Sequence, residues 1–87
     1  MPGRYHVEAI SDQGRAIALR DCTGKYHLAR ATAEVPTVGA ALDGALPGLG
    51  FGVLVAPDTR RFFRVMFELV GCDRLATLER EQTRLTP

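Results

Sequence analysis

Apolar and polar residues alternate from Arg4 to Ile10, with Tyr5, Val7 and Ala9 on one side and His6, Glu8 and Ile10 on the other. A period of two is the signature of a strand. Ser11-Asp12-Gln13-Gly14 follows as a turn, and Arg15 to Arg20 returns as a second strand with Ile17 and Leu19 on its apolar side. Asp21-Cys22-Thr23-Gly24 turns again into a third strand, Lys25 to Ala31, whose apolar pair is Tyr26 and Leu28. Asp bonds its own backbone in such turns and Gly accepts positive φ. Keeping apolar residues opposite one another predicts the pairs Val7–Leu19, Ala9–Ile17, Leu19–Tyr26 and Ile17–Leu28. The other face of this meander then collects His6, Glu8, Arg20, Lys25 and His27.

The pattern dissolves between Ala33 and Gly50, where Gly and Pro are too frequent for a long regular element. This stretch reads as a crossover, with at most one helical turn at 40–45. Phe51, Val53 and Val55 then alternate in a fourth strand, Pro57 to Arg61 turns, and Phe62 to Val70 returns as a fifth. Matching apolar sides predicts Val55–Phe63, Val53–Val65 and Phe51–Phe67. Asp73 is placed to cap a closing helix over 73–85, whose stripe of Leu75, Leu78 and Leu85 needs either an open barrel end or a second subunit to pack against.

The expected fold is therefore mainly β. It is a small five-stranded antiparallel barrel made of a three-strand meander (4–31), a crossover (32–50) and a hairpin (51–70), with a short C-terminal helix. A chain of 87 residues is sized for a single domain. Meander, crossover and hairpin together resemble the OB-fold, whose members often bind oligonucleotides on the face of strands two and three. An SH3-like barrel, or an open sheet with the helix across it, follows the same pattern.

Charge narrows the partners. The formal net charge is +1, so no global field draws in polyanions or anionic lipid. Residues 31–59 carry Glu34, Asp43 and Asp58 without a Lys or Arg, leaving the cations on the two flanks. No apolar run approaches a membrane span of about 20 residues, and the chain starts on a strand pattern instead of a signal-peptide core. A cytoplasmic location with reduced Cys22 and Cys72 is expected on that basis.

Candidate chemistry is sparse. Gly48-Leu49-Gly50-Phe51-Gly52 leads into a strand, whereas phosphate loops lead into a helix N-terminus. It reads as a bend, and no nucleotide or other cofactor is expected. His6, Glu8 and His27 are candidate metal ligands, but Glu8 and His27 fall two strands apart, roughly 9–10 Å. Cys22 and His27 lack an oxyanion hole in any readable frame. The expectation is a non-enzymatic module with no cofactor. Two surfaces compete as its contact. A polar face of His6, Arg20, Lys25, His27 and Arg64 suits single-stranded nucleic acid, with Arg30, Arg60 and Arg61 nearby. An apolar stripe of Phe62, Met66 and Val70, edged by Arg64 and Glu68, suits a protein partner or self-association. Neither choice involves a membrane.

Overall fold

The structure is a computed structural model that describes residues 3–11, 15–44, 46, 48–78 and 85–86. Its strands are β1 (Gly3–Ser11), β2 (Ala16–Asp21), β3 (Tyr26–Ala31), β4 (Ala41–Gly44), β5 (Gly50–Ala56), β6 (Arg61–Cys72) and β7 (Leu85–Thr86). The first six close into an antiparallel barrel in the ring order β1-β2-β3-β6-β5-β4, with β1 meeting β4 to complete it. A mainly β barrel with a short helical turn near its C-terminus is what the pattern predicted. The count is six instead of five because 41–44, expected to be crossover or a helical turn, is a strand.

That strand is short but closes the ring. Leu42 faces Tyr5 on β1, and Asp43 faces Val55 on β5. Leu42 is fully buried between exposed Ala41 and half-buried Asp43. Gly44 lies so close to β5 that a Cβ there would come 2.5 Å from the Leu54 side chain. Beyond β4, the backbone of Val7 bonds to Ala40 and Gly39 at 2.9 and 2.8 Å. β7 then takes Ile10 and Ser11. The edge of β1 is thus occupied along most of its length, which removes a template for aggregation.

Three one-residue differences separate the observed register from the predicted one, and each turns side chains to the opposite face. In β1, Val7 faces Leu19 as expected, but a bulge at Glu8 makes Ala9 face Ala18 and Ile10 face Ile17. Across the next turn Leu19 faces His27 and Ile17 faces Ala29, instead of Tyr26 and Leu28. The turn is one residue shorter than predicted: Asp21 accepts from Gly24 at 3.1 Å and donates to the Lys25 carbonyl at 2.9 Å, and Gly24 has φ 87°. In the last hairpin Val55 faces Phe62, Val53 faces Arg64 and Phe51 faces Met66. There the connection runs from Ala56 to Arg61 and is closed by Arg60 at φ 59°, whose N–H donates to the Ala56 carbonyl at 2.7 Å. A left-handed residue was needed, and Arg supplies it where Gly is usual.

The apolar residues consequently form two cores. Inside the barrel lie Tyr5, Val7, Ile17, Leu19, Leu42, Leu54, Phe63, Val65 and Phe67. Gly52 makes room for the Phe67 ring, which would stand 3.1 Å from a Cβ at that position. Outside the wall, Ala9, Ala16, Ala18 and Leu28 are covered by Leu78 and Leu85, with Leu75 packed against them. The predicted helix over 73–85 is replaced by a 3₁₀ turn at Leu75–Leu78 and the strand β7. Residues 79–84 lie outside those described. Leu85 is therefore a strand residue, and the described residues Leu75, Leu78 and Leu85 pack on the outer side of the wall. Both cysteines are free thiols, and among the described residues no helix is long and apolar enough to cross a membrane.

Because Leu42 fills the seam of the ring, Leu42→Ala is expected to cost about 2–5 kcal/mol in urea unfolding. Ala41→Thr, on the exposed side of the same strand, is expected to stay within about 0.5 kcal/mol of the parent.

Candidate interaction surface

The register of β5 and β6 decides which side chains meet solvent. With Gly52, Leu54 and Ala56 turned inward against Val65, Phe63 and Arg61, the outward set is Phe51, Val53 and Val55 on one strand and Phe62, Arg64 and Met66 on the other. Phe51 is 80%, Phe62 68% and Val53 47% exposed. Three exposures of that size leave roughly 300–400 Å² of apolar side chain in water, within the range of patches that are often functional. Phe51, Val53 and Val55 were predicted to be core residues, so the stripe expected from Phe62 and Met66 is in fact about twice as wide. Leu46 and Leu49, in the connection leading to Phe51, are also exposed.

Val70 does not belong to it. Two register shifts between β3 and β6, on either side of Leu28, alternate the facing of β6 beyond Phe67. Val70 consequently packs against the barrel interior, while Leu69 joins the outer core. The described C-terminal residues Leu75, Leu78 and Leu85 pack with Ala18 and Leu28, not with Phe62 or Met66. Among the described residues nothing lies over the β5–β6 stripe.

The rim of this surface is charged and mostly self-neutralised. Arg4 pairs with Asp43 at 2.9 Å and Arg30 with Glu68 at 3.3 Å, while Arg61, on the inward side of β6 over the Phe63 ring, pairs with Glu34. Arg64 is exposed at the centre and makes no side-chain hydrogen bond or ion pair among the described residues. Its carbonyl accepts from the N–H and hydroxyl of Thr32, at 2.9 and 3.1 Å, which fixes the backbone beneath it. Thr32, Phe51, Gly52, Val53 and Arg64 line a groove of about 370 Å³.

The polar face predicted on the meander is broken up. His6 and Arg20 do share a site, both bonded to Glu8 at 3.2 and 2.7 Å. Lys25 pairs with Asp73. Arg64 stands on the other wall of the barrel. His27 was predicted on the solvent side; it is instead 1% exposed inside the barrel, edge-on to Tyr5 and Phe67 at 5.9 and 6.4 Å. The shorter turn causes this, since it moves Tyr26 and Leu28 outward and brings His27 in.

Both nitrogens of His27 are occupied. Gly71 N–H donates to Nδ1 at 3.0 Å, so Nδ1 carries no proton and Nε2–H donates to Asp21 Oδ2 at 2.6 Å. Neither nitrogen faces Cys22 as a base, and neither is open to a metal ion. Asp21 Oδ1 meanwhile takes the Thr23 N–H at 2.8 Å, the Thr23 hydroxyl at 2.5 Å and the Lys25 N–H at 3.1 Å. Burial pushes the Asp21 carboxyl up, but the hydrogen bonds from Thr23, His27 and the Lys25 and Thr23 backbone outweigh it and hold the group at about 2. This is a clasp joining β2, β3 and β6, and its chemistry is structural. Tyr5, beside it, is pushed up to about 12 by burial, with Asp21 and Cys22 adding to the effect.

Fold and surface together define a small closed β-barrel with an apolar outer face. No family model, curated protein or solved structure matches the chain.

A carboxyl with an ordinary value of 3.8 that is held at about 2 contributes stability above pH 4 and loses it as pH falls toward 2. Asp21→Asn puts a donor against either His27 or the Thr23 and Lys25 amides. It is expected to cost about 1–3 kcal/mol at pH 7 in urea unfolding, and to differ less from the parent at pH 2.

Proposed function

We propose that the chain is a non-enzymatic protein-interaction module, and that its contact surface is the outer face of β5 and β6. The observation that carries this reading is the exposure of Phe51, Val53 and Phe62 on a wall that no described residue covers. An exposed apolar stripe on a regular sheet costs solubility, and aromatic residues with Met and Arg inside a charged rim are the composition of a protein contact. A rigid sheet also presents these side chains with little ordering cost on association.

One observation favours a second reading. Phe51 stands in solvent beside Arg64, and exposed aromatics with Arg on a barrel wall are how OB-like domains hold single-stranded nucleic acid. Against it, Arg4, Arg30 and Arg61 are each matched by an acid, whereas a strand of phosphates calls for a succession of unmatched cations.

A photoreactive benzoylphenylalanine at position 62, with one at exposed Thr23 as control, separates these readings in the cells that make the protein. A discrete polypeptide adduct at 62, absent at 23 and lost in Phe51→Ser, is expected. Nuclease-sensitive adducts would support the second reading instead, and no site-specific adduct would sink both. Phe51→Ser is expected to remain folded, within about 1 kcal/mol of the parent, because the ring is on the surface.

A further inference from the structure

We infer that the partner presents an acidic, apolar segment, whose carboxylate is taken by Arg64 while a neighbouring apolar side chain lies in the groove beside Phe51 and Val53; this rests on the protein-contact reading above. The charges around the surface point that way. Asp43, Glu68 and Glu34 are already committed to Arg4, Arg30 and Arg61. Arg64 is left without an acceptor at the centre of the stripe, opposite Val53 and between Phe62 and Met66 along its own strand.

A guanidinium presents a planar fork of donors that matches a carboxylate in two parallel hydrogen bonds. The apolar residues around it exclude water once a segment docks, which strengthens that pairing relative to an exposed one. The groove of about 370 Å³ beside it, lined by Thr32, Phe51, Gly52 and Val53, accommodates a large aliphatic or aromatic side chain. Thr32, just past β3, pins the Arg64 backbone, so the side chain starts from a fixed point beside the groove.

A second copy of the chain fits less well. Face-to-face pairing brings one Arg64 toward the other, and Asp43 and Glu68, the acids at the edge of the stripe, are held by their own arginines. A nucleic-acid strand fits less well for the converse reason: Arg64, with Arg60 in the turn at the end of the hairpin, does not make the succession of unmatched cations that a phosphate backbone follows.

The test is selection of phage-displayed random dodecapeptides on the intact protein, repeated on Arg64→Glu and on Phe51→Ser/Phe62→Ser. Enriched peptides are expected to carry Asp or Glu next to an aromatic or aliphatic residue, and the acidic preference is expected to become basic on Arg64→Glu. A synthetic peptide from the wild-type pool should bind about tenfold more weakly to Arg64→Gln and lose affinity in raised salt, while the already paired Arg30→Gln changes binding less than twofold. Enrichment that needs Phe51 and Phe62 but shows no acidic bias, or that survives Arg64→Glu unchanged, overturns the acidic partner and leaves the protein-contact reading standing. Enrichment no greater than on the Phe51→Ser/Phe62→Ser variant overturns both. A dimer in sedimentation that Phe62→Ser dissolves would replace the acidic segment with a second copy.

Discussion

A strand has two faces, and the residue count of the preceding turn decides which of them looks into the barrel. Everything distinctive about this molecule depends on that parity. The Cys22–Gly24 turn places His27 inside and Leu28 outside. The turn closed by left-handed Arg60 places Phe63 inside and Phe51 outside. One residue more in either connection would exchange those assignments along a whole strand. Ring closure enforces the choice, because each strand must satisfy two neighbours at once.

The buried polar clasp is a second guard on the same register. His27 is satisfied only where Asp21 reaches Nε2 and Gly71 reaches Nδ1, which ties the end of β2 and the bulged end of β6 to one position on β3. Slippage would strand an imidazole and a carboxylate in an apolar interior, at a cost comparable to losing a buried hydrogen-bonded pair. The bulges in β1 and β6 do complementary work. They turn Ala9 and Leu69 outward, where Leu78 and Leu85 cover them, so among the described residues the barrel carries an outer core over one wall and none over the other.

That asymmetry gives the surface its meaning. The wall of β1, β2 and β3 is small-residue and covered; the wall of β5 and β6 is aromatic and bare. The Arg4–Asp43 and Arg30–Glu68 pairs on its rim are internally matched and create no long-range field, consistent with a net charge of +1. Arg64 is unmatched within the stripe itself, where a docking segment would exclude water.

Much of the architecture was legible from alternation alone. The three-strand meander and the β5–β6 hairpin lie close to where their period-two patterns put them, because half-buried strands must alternate. Phe62 and Met66 were identifiable as outward residues for that reason. Strand β4 was not, since Ala41-Leu42-Asp43-Gly44 is too short to display a period and is a strand only because β1 and β5 both need a neighbour. Phe51 and His27 were misplaced because Phe51 to Ala56 is apolar at nearly every position, Tyr26 and Leu28 are as apolar as a core pair, and no glycine marks Arg60 as left-handed. The sequence by itself determined the strands, their antiparallel hairpins and the lack of a strong field. Only the tertiary structure decided which face of each strand was buried, because parity depends on turn length and ring closure, and these are set by hydrogen bonds between residues far apart in the chain.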